Sequence, residues 1–227
     1  IHTPDGIIAG KSLWDSVNTP VEKASVLYPW SGLNDLTYGI RSYELVTLTA
    51  GSGVGKSQVM REVLYHVLQN SESNIGCIFL EESVTKTAQS LMYLHSGKRL
   101  HIPTVESTEE ERRDAFNATL GTDRLFFYDH FGSTSVENIV GQVRYLSKAH
   151  DCKYVSDLRG SASIAQLSDI VLGFERNGQA ADIEERNTTR IRVLKNRFSG
   201  ETGMASSVRY DQDTGRMAEV LDLEEIL

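Results

Sequence analysis

Glu44-Leu45-Val46-Thr47-Leu48-Thr49-Ala50-Gly51-Ser52-Gly53-Val54-Gly55-Lys56-Ser57 is the stretch that decides the fold. Glu44–Thr49 is a β-rich run that ends in a glycine loop. Lys56–Gln69 follows, with Val59, Met60, Val63, Leu64, Val67 and Leu68 at helical spacing. A strand, the loop Ala50–Ser57 and a helix, in that order, are the context of a phosphate-binding loop. Gly51, Gly53 and Gly55 let the backbone take positive φ and turn its N–H groups inward. Those groups and the helix N-terminus form an anion nest across Ala50, Gly51, Ser52, Gly53, Val54 and Gly55. Lys56 adds a mobile cation for the β- and γ-phosphates, and the Ser57 hydroxyl is suited to Mg²⁺. The strict pattern has Gly at position 50, where this chain has Ala, so a chance glycine turn is the competing reading. The loop alone names no reaction, because kinases, GTPases and motors share it. An Asn-Lys-x-Asp base-reading signature is absent from the sequence, which leaves a GTPase without support.

Outward from the loop, strands and helices alternate. Ile75–Leu80 is a continuous apolar run, as a buried parallel strand requires. Ser83 is placed to cap a helix to about His95. Glu106–Leu120 reads as a helix with an acidic first turn. Leu125–Tyr128 reads as a strand, and Ser135 as the cap of a helix to about His150. The pattern predicts an α/β fold with a mostly parallel twisted sheet flanked by helices. Ile170–Phe174, Arg190–Leu194, Val208–Tyr210 and Met217–Val220, separated by short turns such as Asp213–Gly215, are expected as antiparallel additions at its C-terminal edge. Ile1–Ser31, with three prolines and a short apolar helix candidate at Leu13, Trp14 and Val17, reads as a linker with an arm or as a disordered tail. The body of the domain is expected over 32–227.

With 227 residues and 40% hydrophobic content, the chain suits one well-buried domain. No apolar run approaches the roughly 20 residues a membrane helix needs. It begins at Ile1 rather than Met, so a fragment of a longer protein is the expectation. Cys77 and Cys152 lie in no CxxC pair and read as reduced core thiols. A net charge of −8 disfavours general nucleic-acid affinity, so any such binding must be local.

Hydrolysis needs a group that orients or deprotonates water. Glu81, at the end of the second strand and expected beside the loop strand, is the candidate base. Glu82 falls in the first turn of the next helix, where dipole compensation explains it. Asp129 after Leu125–Tyr128 superficially fits an Mg²⁺ carboxylate, but a structural or peripheral role is preferred. Cys152–Val155 begins a strand that gives way to Ser156-Asp157-Leu158-Arg159-Gly160-Ser161 after only four residues, shorter than usual. We therefore expect a segment to be absent between Val155 and Ser156, carrying the true Mg²⁺ carboxylate.

Taken in order, the loop, Leu80-Glu81-Glu82-Ser83, Asp157–Ser161, Gln166-Leu167-Ser168-Asp169, Glu175-Arg176-Asn177 and Leu194–Gly203 resemble the hexameric replicative helicases related to DnaB. Within them the closest likeness is to the helicase half of phage primase–helicases, with the mitochondrial helicase Twinkle as a relative. The resemblance runs from about Asp5 to near the end and implies a RecA-like core. It implies ATP or another NTP or dNTP as fuel with Mg²⁺, single-stranded DNA as the track, and a hexameric or heptameric ring. It also implies replisome partners (a DNA polymerase and a primase domain) and no membrane. The compartment would be the cytoplasm of an infected bacterium, or alternatively the mitochondrial matrix. By the same resemblance Lys56 and Glu81 are catalytic, and Arg197 is an arginine finger for the neighbouring subunit's nucleotide, assisted by Lys195. Arg176 and Tyr210 would hold the base between them, and Arg159 and Gly160 would contact DNA phosphates. The arm at Leu13 and Trp14 would dock on the neighbouring subunit. Plainer readings compete: Arg197 as a surface residue, Arg159 as a helix-start ion pair, Tyr210 as edge packing, Trp14 as a cap on its own core. Rival functions are a RecA-type recombinase filament, a P-loop small-molecule kinase, and a non-catalytic assembly module.

Overall fold

The computed structural model describes residues 7–20, 23–51, 53–130, 132–157 and 164–220. The chain opens with a 3-10 turn at Gly10–Leu13 and α1 (Trp14–Val17), neither of which buries a residue. Then come α2 (Ser31–Thr37), β1 (Val46–Ala50), α3 (Lys56–Asn70), β2 (Asn74–Ile78), α4 (Val84–Ser96) and α5 (Glu109–Ala118). A second half follows with β3 (Leu125–Phe127), α6 (Val136–Ala149), β4 (Cys152–Asp157), α7 (Ile164–Leu167), β5 (Ile170–Glu175) and α8 (Ile183–Asn187). Three strands finish the described chain: β6 (Thr188–Asn196), β7 (Gly203–Tyr210) and β8 (Met217–Val220). The helix starts follow the capping chemistry of the sequence. Ser83 Oγ accepts from Lys86 N, Ser135 Oγ accepts from Asn138 N, and Thr108 and Glu111 form a reciprocal capping box on α5.

Among the described residues the strands form two sheets, one ordered β1-β5-β6-β7-β8 and one ordered β3-β2-β4. β2 is parallel to both β3 and β4, so the smaller sheet is wholly parallel. β5 corrects the expectation of an antiparallel edge strand: it runs parallel to β1, with Val46 opposite Ile170 and Ala50 opposite Phe174. The reversal begins one strand later, where β6 pairs antiparallel with β5 and is followed by β7 and β8. The four buried residues Ile170, Val171, Leu172 and Phe174 are consistent with this inner place, since a strand covered on both faces carries no polar alternation. β4 also runs to Asp157, two residues past Val155, with Asp157 opposite Ile78. The hydrogen bonds of β2 hold Ser156 and Asp157 in the ladder despite their weak strand preference.

α3 packs against both sheets. Val59 belongs to the core of the larger sheet with Trp30, Leu33, Leu172 and Ile191. Leu64, Val67 and Leu68 belong to that of the smaller one with Ile75, Cys77 and Phe79. The body of the domain begins before Gly32, because Val26, Tyr28 and Trp30 are buried. Gly32 lies so close to β7 that an added Cβ would stand 1.7 Å from the Ala205 carbonyl oxygen. No described helix is long and apolar enough to cross a membrane.

Candidate functional site: a phosphate loop and its surroundings

The loop between β1 and α3 has the conformation its glycines permit. Gly53 has φ of 75° and Gly55, the residue before α3, has φ of 99°. A Cβ at either would meet nothing within 4 Å, so there is open space beside both glycines. The Lys56 ammonium folds back to donate to the Ala50 carbonyl at 3.0 Å. Ser57, the second residue of α3, is half-buried, and its hydroxyl has no partner among the described residues. Ser52 lies outside the described residues. Open amides, a helix N-terminus and a tethered ammonium together make a seat for a polyphosphate.

The register of β5 brings a second group to this end of the sheet. Phe174 lies opposite Ala50, and two residues later Arg176 Nη2 donates to the Gly53 carbonyl at 2.6 Å. β7 runs in the same direction as β5 and ends at Tyr210. Arg176 and Tyr210 thus stand at the same end of the sheet, on strands about 10 Å apart with β6 between them. They do not share one cavity. Arg176 lines an open space of about 400 Å³ with Arg190, Arg209 and Glu184. Tyr210 lines a small cleft with Gln58, Arg61 and Gly215, because successive strand residues face opposite ways.

Glu81 is exposed in the bend after β2 and has no partner among the described residues. The expected adjacency of its strand to the loop strand is not observed, since β1 pairs with β5 and β2 with β3 and β4. α3 joins the two places instead. Arg61, five residues after Lys56, forms an ion pair with Glu82. The other Glu82 oxygen accepts from Thr87 Oγ1 at 2.7 Å, and its side chain is only 9% exposed. Glu82 is therefore an anchor for the Glu81 bend rather than a free base. Asp129 is exposed and follows β3, which lies on the far side of β2 from β4. That placement accords with a peripheral role.

Arg197 and Lys195 stand elsewhere. Asn196 ends β6 opposite Ile170, the first residue of β5, so Arg197 lies at the end of the sheet away from the loop. The five steps along β5 put roughly 17 Å between the two ends. Arg197 Nη2 and Lys195 Nζ both donate to the Gln166 carbonyl, at 3.1 and 2.9 Å. The Arg197 guanidinium is half-exposed and also 3.7 Å from Asp169. Its turn is firmly held: Asn196 and Ser199 donate to the Leu36 carbonyl, and the Arg41 guanidinium lies 3.6 Å over the Phe198 ring.

No protein-family model matches the chain. It is similar to the DNA helicase/primase of Enterobacteria phage T3, at 27% identity over 282 residues, covering 93% of this chain and 49% of the relative. The chain therefore spans about half the length of that curated relative. Its fold is similar to that in a solved structure of a DnaB-like replicative helicase described with its interactions with primase, at a TM-score of 0.64 and 12% identity, covering 93% of this chain and 67% of that one. A second solved structure, an ATPase domain, matches at a TM-score of 0.61 and 13% identity, covering 93% and 97% of the two chains. The fold is RecA-like.

On this RecA-like fold the remaining candidates sort by position. Arg159 and Gly160 lie outside the described residues. Trp14 is 72% exposed, so it does not cap its own core. Sequence reasoning missed two groups. Asp157 sits at the carboxyl end of β4, opposite Ile78 and so near the strand end that precedes Glu81. An Asp closing the run Cys152–Val155 was a usable signal, obscured by the polar Ser156. The buried Glu62 carboxylate pairs with the partly exposed Arg216 guanidinium; 154 residues separate them, and no local pattern reports such a pair.

Proposed function

We propose that the chain is the nucleotide-hydrolysing motor of a replicative DNA helicase, working on single-stranded DNA as a ring of identical subunits. One observation carries the reading: the phosphate loop and Arg197 lie at opposite ends of one sheet, so neither completes a hydrolytic site without a second subunit. Similarity to a phage DNA helicase/primase and to helicase ATPase folds supports the assignment of that site to a DNA motor.

In this mechanism the loop amides and Lys56 bind the β- and γ-phosphates of ATP or another NTP or dNTP. Arg176 and Tyr210, which line separate spaces in this structure, hold the base once the nucleotide draws them together. Glu81, exposed and without a partner among the described residues, orients the attacking water and takes its proton. Arg197 of the adjacent subunit reaches the γ-phosphate and offsets the charge that develops there, with Lys195 beside it. The Ser57 hydroxyl, without a partner among the described residues, fits a hydrated Mg²⁺ carried by the nucleotide. When bound, that ion would neutralise phosphate charge.

Arg159 and Gly160 contact the DNA backbone, and the arm around Leu13 and Trp14, exposed on its own body, docks on the neighbouring subunit. A primase domain and a DNA polymerase are the partners, in the cytoplasm of an infected bacterium. An alignment of 282 positions against a chain of 227 residues supports an additional segment in the relative. Placed after β4, it would supply a strand between β4 and β1, whose other edges pair with β2 and β5.

The test uses the intact protein. Lys56→Ala and Arg197→Ala each abolish DNA-stimulated hydrolysis, and the arginine alone is worth ~10³–10⁵ in rate. An equimolar mixture of the two variants regains part of the activity, because mixed assemblies contain intact interfaces. Absence of rescue refutes the shared site. Strand displacement from a forked duplex separates the helicase from a recombinase filament.

A further inference from the structure

The first three turns of α3 carry two ties to the hairpin that ends in Tyr210. Gln58 Nε2 donates to the Gly215 carbonyl at 2.9 Å. One turn on, Glu62 is 2% exposed, a buried carboxylate on the very helix that starts with Lys56. Its two oxygens accept from Arg216 Nε at 3.1 and 3.2 Å and from Arg216 Nη2 at 3.1 Å. Oε1 also accepts from the Met217 amide at 2.7 Å. Met217 is the residue opposite Tyr210 in the β7–β8 ladder. The remaining Arg216 nitrogen, Nη1, donates to the Leu94 carbonyl on α4 at 3.1 Å, and the guanidinium lies 5.1 Å over the Tyr65 ring.

The turn itself is tightly made. The Asp211 amide donates to the Arg216 carbonyl and the Gly215 amide to the Asp211 carbonyl, at 2.9 and 2.8 Å. Asp211 Oδ1 accepts from the Asp213 amide at 2.8 Å. A turn gripped at Arg216 and Met217 restrains Tyr210, which pairs with Met217. The fork of an arginine against a carboxylate fixes angle as well as distance, which a single hydrogen bond does not.

We infer that the Glu62–Arg216 pair is a positioning device that fixes the Tyr210 hairpin against the phosphate-loop helix and so sets the affinity for the base of the nucleotide. The inference rests on the proposed nucleotide site and adds to it which residues tune its base side. Arg216 acts through Tyr210 and touches no phosphate. Glu62 is buried while the Arg216 side chain is 40% exposed, so removing the arginine alone strands a buried carboxylate and the double exchange removes that charge as well; comparing the two separates the effect on binding from the effect on folding.

The experiment compares two ligands by titration calorimetry in the intact protein: ATP, and inorganic tripolyphosphate, which has no base. The variants are Arg216→Met and the double exchange Glu62→Leu with Arg216→Met, each checked by thermal melting. ATP affinity falls about tenfold, within the range that one stacked base contributes, while tripolyphosphate affinity is unchanged. In hydrolysis KM rises and kcat holds, the signature of lost uniform binding. In a Tyr210→Ala background the Arg216→Met change has no further effect on ATP, because both act through the same contact. Equal losses for both ligands overturn the inference, as does unchanged ATP affinity in a folded variant. Additive losses in the Tyr210→Ala background overturn it too. A native protein that binds neither ligand overturns the site itself, a result distinct from all of these.

Discussion

Arg61→Ala removes the cation that faces Glu82 from α3. The Glu82 side chain is 9% exposed and that of Arg61 14%, so the pair is nearly dry. Breaking such a pair from one side costs about 3–5 kcal/mol, because the other charge stays buried. Two features of this site reduce the figure. Lys86 lies 3.9 Å from the same carboxylate oxygen, although its own side chain is largely exposed. Arg61 Nε is itself buried without a partner, and losing it relieves about 1–3 kcal/mol of desolvation. The expected net loss is about 2 kcal/mol, measured by urea unfolding, with a fall in Tm of roughly 4–8 °C. Adding Glu82→Gln to Arg61→Ala restores part of the stability, since the stranded charge is gone. The loss also reaches catalysis: kcat falls with KM unchanged, because Glu81 is carried on the bend that Glu82 anchors. An Arg61→Ala protein within about 0.5 kcal/mol of the native one, with no gain from Glu82→Gln, refutes the anchor.

Gly32→Ala drives a methyl group to 1.7 Å from the Ala205 carbonyl oxygen and forces α2 off β7, costing about 3 kcal/mol in chemical denaturation. A variant as stable as the native protein contradicts that packing. Burial raises the Glu219 carboxyl, but bonds donated by Ser31, Gly32 and Ser206 more than offset it and hold the group below the usual value of 4.5. Its contribution is therefore complete above that value and lost as pH falls through the depressed one. Glu219→Gln costs about 1 kcal/mol at pH 7, and the difference from the native protein closes on acidification below pH 4.5. A difference independent of pH rules out the charged cap.

The legible parts of the sequence were those set by neighbours along the chain. Alternating apolar runs gave β1, α3, β2 and α6 to within a few residues, and Ser83 and Ser135 marked their helices because a cap is a bond over three residues. The place of β5 was not legible. Its apolar run fits an inner strand, but direction and partner are set by pairing with β1, more than 120 residues away in sequence. β4 was read short because Ser156 and Asp157 have weak strand preference, and the ladder with β2 overrode it. At the candidate site, the glycine loop is legible from composition and position, whereas the choice of Glu81 rests on an adjacency of β2 to β1 that the sheets do not show. The anchoring pairs Arg61–Glu82 and Glu62–Arg216 were not legible, since an ion pair between residues distant in sequence leaves no periodicity.

Arg197 and the phosphate loop at opposite poles have a consequence for assembly. In a two-fold dimer residue i of one subunit meets residue j of the other and j meets i, so one patch would have to span both poles, roughly 17 Å apart, to complete a shared site. Under the proposed mechanism, head-to-tail stacking lets every subunit both donate and receive without that demand. Such a stack has no natural end: it closes into a circle if the rotation per subunit divides a full turn, and otherwise grows as a helix. The bracing of the arginine turn by Phe198, Arg41 and Leu36 holds the donor end of such a stack rigid within each subunit.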